Sequence, residues 1–306
     1  MLELIRNDLN IDFIKLRPIA FLLSGFLTVV GIGALVMRGG PNYGIDFTGG
    51  IMLHVTVDQA VTASDMRDAV DKAGLAGGGA SVQDYGTAKG EYLLRLPLSQ
   101  PDQAATEAEQ AKDKLAAAFQ GKNFQALRTE VVGPRVGDEL RQRALLSVLL
   151  ATLGMGLYIA FRFDLRFGVG AAVALLHDVM VAVGALAIVN AEFDLTIVAA
   201  LLTIVGYSVN DTCIVSDRIR ENMGKGGKAN LATVINKSIN ETLSRTILTS
   251  TTTLLVCAAL FLFGGSVIHG FAFCLLVGIT TGTYSSIFIA SPIVEMWKRG
   301  APPAKA

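Results

Sequence analysis

Charge is what this 306-residue sequence has little of. Lysine, arginine, aspartate and glutamate together make up 17% of it, against about 25% in an ordinary soluble domain. With 52% hydrophobic residues, much of the chain does not face water. A net charge of either sign is also missing: the 26 basic and 26 acidic residues cancel, which removes the electrostatic case for nucleic acid. Cysteine is scarce. Cys213, Cys257 and Cys274 lie in apolar stretches, spaced neither for a zinc site nor for a disulfide framework, and read as small buried hydrophobes. There is no GxxxxGK[ST], no GxSxG and no HExxH, so no bound nucleotide, metal or other cofactor is expected and the chain does not read as an enzyme. Any work it does must draw on a membrane gradient or a partner. Internal repeats and low-complexity segments are missing as well.

What is present is long apolar runs. A bilayer core is about 30 Å thick and takes about 20 apolar residues as helix. Six stretches qualify: Pro18 to Met37, Ala144 to Phe161, Phe167 to Val189, Leu195 to Ser216, Thr246 to Ile268 and Gly270 to Val294. The first is too long for a signal-peptide core and no small-residue cleavage site follows, so it reads as an uncleaved anchor. Basic residues set the orientation. Arg6, Lys15 and Arg17 precede the first span; Arg162 and Arg166 follow the second. Arg218, Arg220, Lys225, Lys228, Lys237 and Arg245 follow the fourth, and Lys298, Arg299 and Lys305 follow the sixth. The loops after the third span (Asn190 to Asp194) and the fifth (Gly265 to His269) have none. Both termini are therefore expected in the cytoplasm, residues 1–17 and 295–306, with a cytoplasmic loop over 217–245 and a disordered tail from Ala301. Within that loop Met223 to Asn230 reads as flexible, and Leu231 to Ser244 as a short surface helix leading into span five.

Residues 38–143 fall outside the membrane. Ile51 to Val57 alternates like a half-buried strand. Thr62 to Ala73 reads as a helix capped by Thr62 or Ser64. Ser81 to Asp84 and Tyr92 to Leu96 are short strands around a loop with Gly86 and Gly90. Asp102 to Phe119 is a helix, and Phe124 to Val132 a last strand. This order is the split βαβ, or ferredoxin-like, arrangement. The expected fold is a polytopic bundle of six transmembrane helices with one ferredoxin-like α+β domain between helices 1 and 2.

Ionisable groups at membrane depth are costly and mark pathways or partners. Asp211, beside Asn210 in span four, leads. Arg218 lies seven residues on, nearly two turns, so the two are expected on one face about 10 Å apart. Burial and a neighbouring arginine act on a carboxylate's proton in opposite senses, which suits a group that loads and releases protons; a structural ion pair is the plainer reading. Arg245 opens span five and, with Thr246, Thr249, Ser250 and Thr253, starts a hydroxyl stripe. It is placed to meet Asp211 or a carboxylate of another chain, or to reach the interface with its charge. His177 and Asp178 lie mid-span and, being adjacent on a helix, are expected to face different ways, one toward the bundle and one toward a partner. His54 and His269 have no ligand partners at useful spacing. Gly278 and Gly282 form a GxxxG that reads as close core packing. Asp46, in Asn42 to Gly50, sits among three glycines that read as tight turns.

GIDFTGG (Gly44 to Gly50), VGPRVGDELRQRA (Val132 to Ala144), VGYSVNDTCIVSDRIREN (Val205 to Asn222), SINETLSRTILTSTTTLL (Ser238 to Leu255) and YSSIFIASP (Tyr284 to Pro292) occur in order and resemble the SecF family. These are accessory subunits of the bacterial Sec translocon, six-span proteins that look like half of an RND-superfamily exporter. The resemblance implies an inner-membrane protein that pairs with SecD, associates with the SecYEG channel and with YajC and YidC, and uses the proton-motive force on late steps of moving precursor proteins across the cytoplasmic membrane. It also implies that the aspartate of NDT, Asp211, and the arginine of LSRT, Arg245, form the proton relay, with an aspartate of SecD completing it. Asn210, His177, Asp178 and Arg218 are possible further members. Cys213 departs from the aliphatic residue expected there. Two other readings stay open: a small proton-driven exporter half, and a scaffold that only stabilises the translocon.

Overall fold

A computed structural model describes residues 10–76, 80–85, 90–98, 103–225 and 230–299. Arg6, Lys228, Lys305, Gly86, the tail from Ala301 and the proposed helix start at Asp102 lie outside the described residues. In chain order the elements are α1 (Phe13–Met37), β1 (Asn42–Tyr43), α2 (Ile45–Thr48), β2 (Gly50–Thr56), α3 (Ala63–Lys72), β3 (Ser81–Asp84), β4 (Glu91–Leu96), α4 (Ala104–Ala118) and β5 (Gln125–Val132). Then follow α5 (Pro134–Arg162), α6 (Leu165–Ile188), β6 (Glu192–Phe193), α7 (Leu195–Lys225), α8 (Leu231–Phe263), α9 (Gly265–Ser285), a π-helical turn (Ser286–Ala290) and α10 (Ser291–Arg299).

Six helical spans among the described residues are long and apolar enough to cross a membrane, and the chain is a polytopic helical membrane protein. Its helices fall into two groups. The most apolar windows of α6, α7 and the α9–α10 span are each 56% buried, whereas those of α1, α5 and α8 are 17–22% buried. The first three form the centre, and the others keep apolar flanks such as Leu22, Leu157 and Leu255 exposed. Small residues set the central spacing. A Cβ on Gly278 or Gly282 would press into Ile204 or Ser208, so this GxxxG packs α9 against α7 within the chain.

Several helices exceed the expected spans: α1 begins at Phe13 rather than Pro18, and α5 at Pro134, ten residues before Ala144 and inside the stretch assigned to the outer domain. α7 runs nine residues past Ser216, and α8 begins at Leu231 and continues unbroken through Thr246. The stretch expected as a loop over 217–245, with a separate surface helix, is helical on both sides of residues 226–229. The reason is tertiary. Ile235, Ile239 and Leu243 of α8 bury an apolar stripe in the cluster that holds Ile219. Arg218 pairs with Glu241, and the Asn222 amide donates to Ser238 and Glu241. The same region of α8 grips the start of α1, where Asn236 and Asn240 accept from the amides of Ile14 and Ile11.

Between α1 and α5 the chain builds a four-stranded antiparallel sheet in the order β3-β4-β2-β5. Alternation decides its two faces. Leu53, Val55, Leu94 and Leu96 join Met66 and Val70 of α3 and Leu115 of α4 in one core. Thr62 caps α3 through a reciprocal pair: its hydroxyl accepts from the Asp65 amide and its own amide donates to the Asp65 carboxylate. The opposite face, with Met52, His54, Leu93 and Arg95, turns toward the ends of the membrane helices and lines a cleft of about 590 Å³ with Phe261, His269 and Phe273.

A buried cluster of acids and hydroxyls

The buried acids of the bundle, Asp178, Asp211 and Glu295, sit on its three central elements. Asp178 of α6 is fully buried and Asp211 of α7 is 5% exposed. A buried carboxylate must find donors or pay a desolvation cost of several kcal/mol. Both find them in hydroxyls. Asp178 Oδ2 accepts from Ser208 Oγ and from Ser285 Oγ, each at 2.7 Å. Asp211 Oδ1 accepts from Thr246 Oγ1 at 2.5 Å, and its Oδ2 accepts from Ser286 Oγ. Ser285 and Ser286 are consecutive, so one step of backbone joins the two acids. Ser208, three residues before Asp211, makes a second link.

The element that supplies these serines is irregular for a local reason. Pro292 lacks an amide hydrogen, and its ring clashes with the carbonyl four residues back. The helix widens over Ser286–Ala290, and Ser291 Oγ instead donates to the Ser286 carbonyl at 2.8 Å. Such widened turns gather at functional sites. Here the widening sets Ser286 against α7 while Ser285 faces α6.

His177 Nδ1 lies 3.1 Å from Asp178 Oδ1, and both residues are buried. The expectation that neighbours on a helix face apart is corrected: the imidazole folds back onto the next carboxylate, and neither side chain faces outward. Its other nitrogen, Nε2, is buried with no partner among the described residues, as are Thr212 Oγ1 and Tyr207 OH. Arg218, expected on one face with Asp211 about 10 Å away, takes other partners. Arg218 reaches beyond the apolar zone to Glu221 and Glu241, at 2.6 and 2.7 Å, because two carboxylates in water outcompete one in the core. Asn210 is exposed on α7, on another side from Asp211.

Arg245 is exposed on α8, one residue before the Thr246 that holds Asp211, and makes no ion pair among the described residues. Of the hydroxyl stripe, Thr246 and Ser250 are buried and turned inward. Thr249 and Thr253 instead return to backbone carbonyls of their own helix. Sequence reasoning gave no role to Ser285, Ser286 or Glu295. Glu295 was legible as an acid among apolar residues; it is buried and accepts from Arg17 at 2.5 Å, tying α10 to α1.

The arrangement can hold a proton on either acid without rebuilding its contacts, since a hydroxyl donates to a carboxylate and accepts from a carboxylic acid equally. It holds no group of three or more acids, histidines or cysteines suited to a metal among the described residues.

The sequence matches the family described as protein export membrane protein SecD/SecF, C-terminal, over residues 110–300, and the SecD/SecF GG motif over residues 35–61. It is 42% identical over 299 residues to a protein translocase subunit SecF from Calditerrivibrio nitroreducens, covering 97% of each chain. To one from Desulfurispirillum indicum it is 44% identical over 293 residues, covering 94% of this chain and 92% of that one. Among solved structures, it resembles SecDF, a translocon-associated membrane protein from Thermus thermophilus, with a TM-score of 0.83 and 37% identity, covering 97% of this chain and 40% of that one. The chain thus spans about two fifths of that protein. By family model, identity and coverage together, the chain belongs to the SecF family of protein translocase subunits.

Proposed function

We propose that this SecF-family chain works with SecD as a proton-driven accessory unit of the Sec translocase, and that Asp211 and Arg245 carry its proton step. The observation that carries this reading is the setting of Asp211: an acid buried in a bundle of apolar helices, held among the described residues by hydroxyls alone, next to an arginine that forms no ion pair among those residues. Arg245 on the outer flank of α8 suits a carboxylate of SecD. SecDF, in which the solved relative carries more than this chain, suits the same pairing. SecYEG, YajC and YidC are further partners in this reading, and exported precursors the cargo. Asp178 and His177 serve as a second proton-holding pair, linked to Asp211 through Ser285 and Ser286. Asn210 is available to SecD, while Arg218 is structural.

In the same reading the chain lies in the bacterial inner membrane with both termini cytoplasmic. Residues 38–143 are then a ferredoxin-like domain on the outer face, a reading supported by the order of its helices and strands. A proton falling through 100 mV releases about 2.3 kcal/mol. Moving a two-state domain from 1:99 to 99:1 takes about 5.5 kcal/mol, so two or three protons per cycle suffice. Proton arrival on Asp211 loosens its attraction to Arg245 and lets α7 shift against α8.

The test is export of a secreted precursor into inverted vesicles carrying this protein and SecD. Asp211→Asn and Arg245→Met are expected to assemble and to lose only the gradient-dependent part of export. Undiminished gradient-dependent export in both would make the buried charges structural and the chain a scaffold.

A further inference from the structure

The segment Gly44–Gly50 meets the loop between α6 and α7 at the end of the bundle that carries the sheet. β1 pairs in parallel with β6, and the Gly44 amide donates to the Phe193 carbonyl at 2.9 Å. Asp46 Oδ2 accepts from the amide of Leu195, the first residue of α7, at 2.9 Å. Asp194 caps the same helix end from within, accepting from the Ile197 amide. Helix amides at an N-terminus lack internal partners and favour negative charge, so Asp46 binds the segment to α7 at the point where that helix has most to gain. Sixteen residues along α7, about 24 Å at 1.5 Å per residue, stands Asp211.

The other end of the segment is built into the sheet. Gly50, at φ +150°, opens β2, and a Cβ there would come within 2.9 Å of the Leu96 carbonyl. A Cβ on Gly49, at φ +72°, would come as close to the backbone of Pro134, where α5 begins. Phe47, 2% exposed, packs edge-on to Tyr43 and beside Phe193, filling the space between the segment and the helices. A third tie bypasses the segment: Arg95 of β4 forms an ion pair with Glu192 of β6. Gly44 lies against this pair: a Cβ there would come 2.5 Å from Glu192 Oε1, and the Glu192 side chain would have to shift.

We propose that Asp46, Glu192 and Arg95 are positioning residues that form one joint, through which a displacement of α7 is passed to the sheet domain. The inference rests on the proton-driven reading above and adds the route by which Asp211 reaches the domain. α7 cannot shift along its axis without carrying Asp46 and the 192–194 loop, and these are tied at both ends to β2 and β4.

Charge reversal tests it in the complex with SecD. Arg95→Glu and Glu192→Arg are each expected to cut gradient-driven export roughly fivefold or more, and the double reversal to restore most of it, as paired charges couple and independent ones do not. Spin labels at Gln110 and Ile188 give a second readout: one narrow distance distribution in the wild type, broad in each single variant, narrow again in the double. Asp211→Asn, assayed alongside, separates the two levels. If it loses gradient-driven export while Arg95→Glu and Glu192→Arg keep theirs, the joint is refuted and the proton reading stands. If the singles fail and the double is no better in either readout, the pairing is refuted.

Discussion

Asp178 and Asp211 are held by serine and threonine hydroxyls and, for Asp178, one imidazole, with no lysine or arginine in contact among the described residues. Glu192 shows the alternative: outside the spans, buried against Arg95. Burial pushes its carboxyl up to about 7, with Asp194 and Asp46 adding to the rise and Arg95 opposing it. An exposed glutamate titrates near 4.5. Because the docked value lies above the exposed one, proton binding favours the docked joint; that support is complete below about pH 4.5 and is lost as the pH rises through 7. Exchange of the Gly44 and Leu195 amides, corrected for intrinsic rate, should therefore speed up by roughly tenfold or more between pH 5 and pH 8. Glu192→Gln should remove that dependence; an unchanged dependence in the variant would assign the titration to another group. The two membrane acids were legible as charges inside apolar runs. Glu192 was not, because its partner stands 97 positions earlier and nothing local marks the pair.

Elements formed where periodicity was strong. The strands from Ile51, Ser81, Tyr92 and Phe124 and both domain helices fall close to where alternation and capping place them. The misses were at helix ends and rotations. Hydropathy marks where lipid stops, not where a helix stops, so α7 and α8 ran on once each supplied the other with an apolar stripe. The link from Asp178 to Asp211 depends on a widened turn caused by Pro292, and a periodic reading of α9 misplaces every residue beyond it. Leu115 of α4, fully buried among Leu53, Met66 and Leu94, tests the account of the domain core. Leu115→Ala should lower the opening free energy of the sheet amides in the full-length protein by about 2–5 kcal/mol, read by hydrogen exchange, and leave the α6 amides unchanged. Equal protection in the variant would mean that the sheet is held by the bundle and not by its own helices.

The whole molecule places its buried acids on the three most buried spans and most of its exposed apolar flanks on the other three. Arg245 stands on one of those flanks with its hydroxyl-lined neighbour turned inward. In the proposed reading a chain built this way is half of a pathway, which its resemblance to two fifths of a SecDF protein fits. The central claim is that Asp211 takes up the proton that drives the cycle. It is tested most directly by proton flux into liposomes that carry this chain and SecD under an imposed gradient. The account predicts flux in the wild type and flux at the protein-free level in Asp211→Asn. Wild-type flux through an assembled Asp211→Asn complex would contradict it.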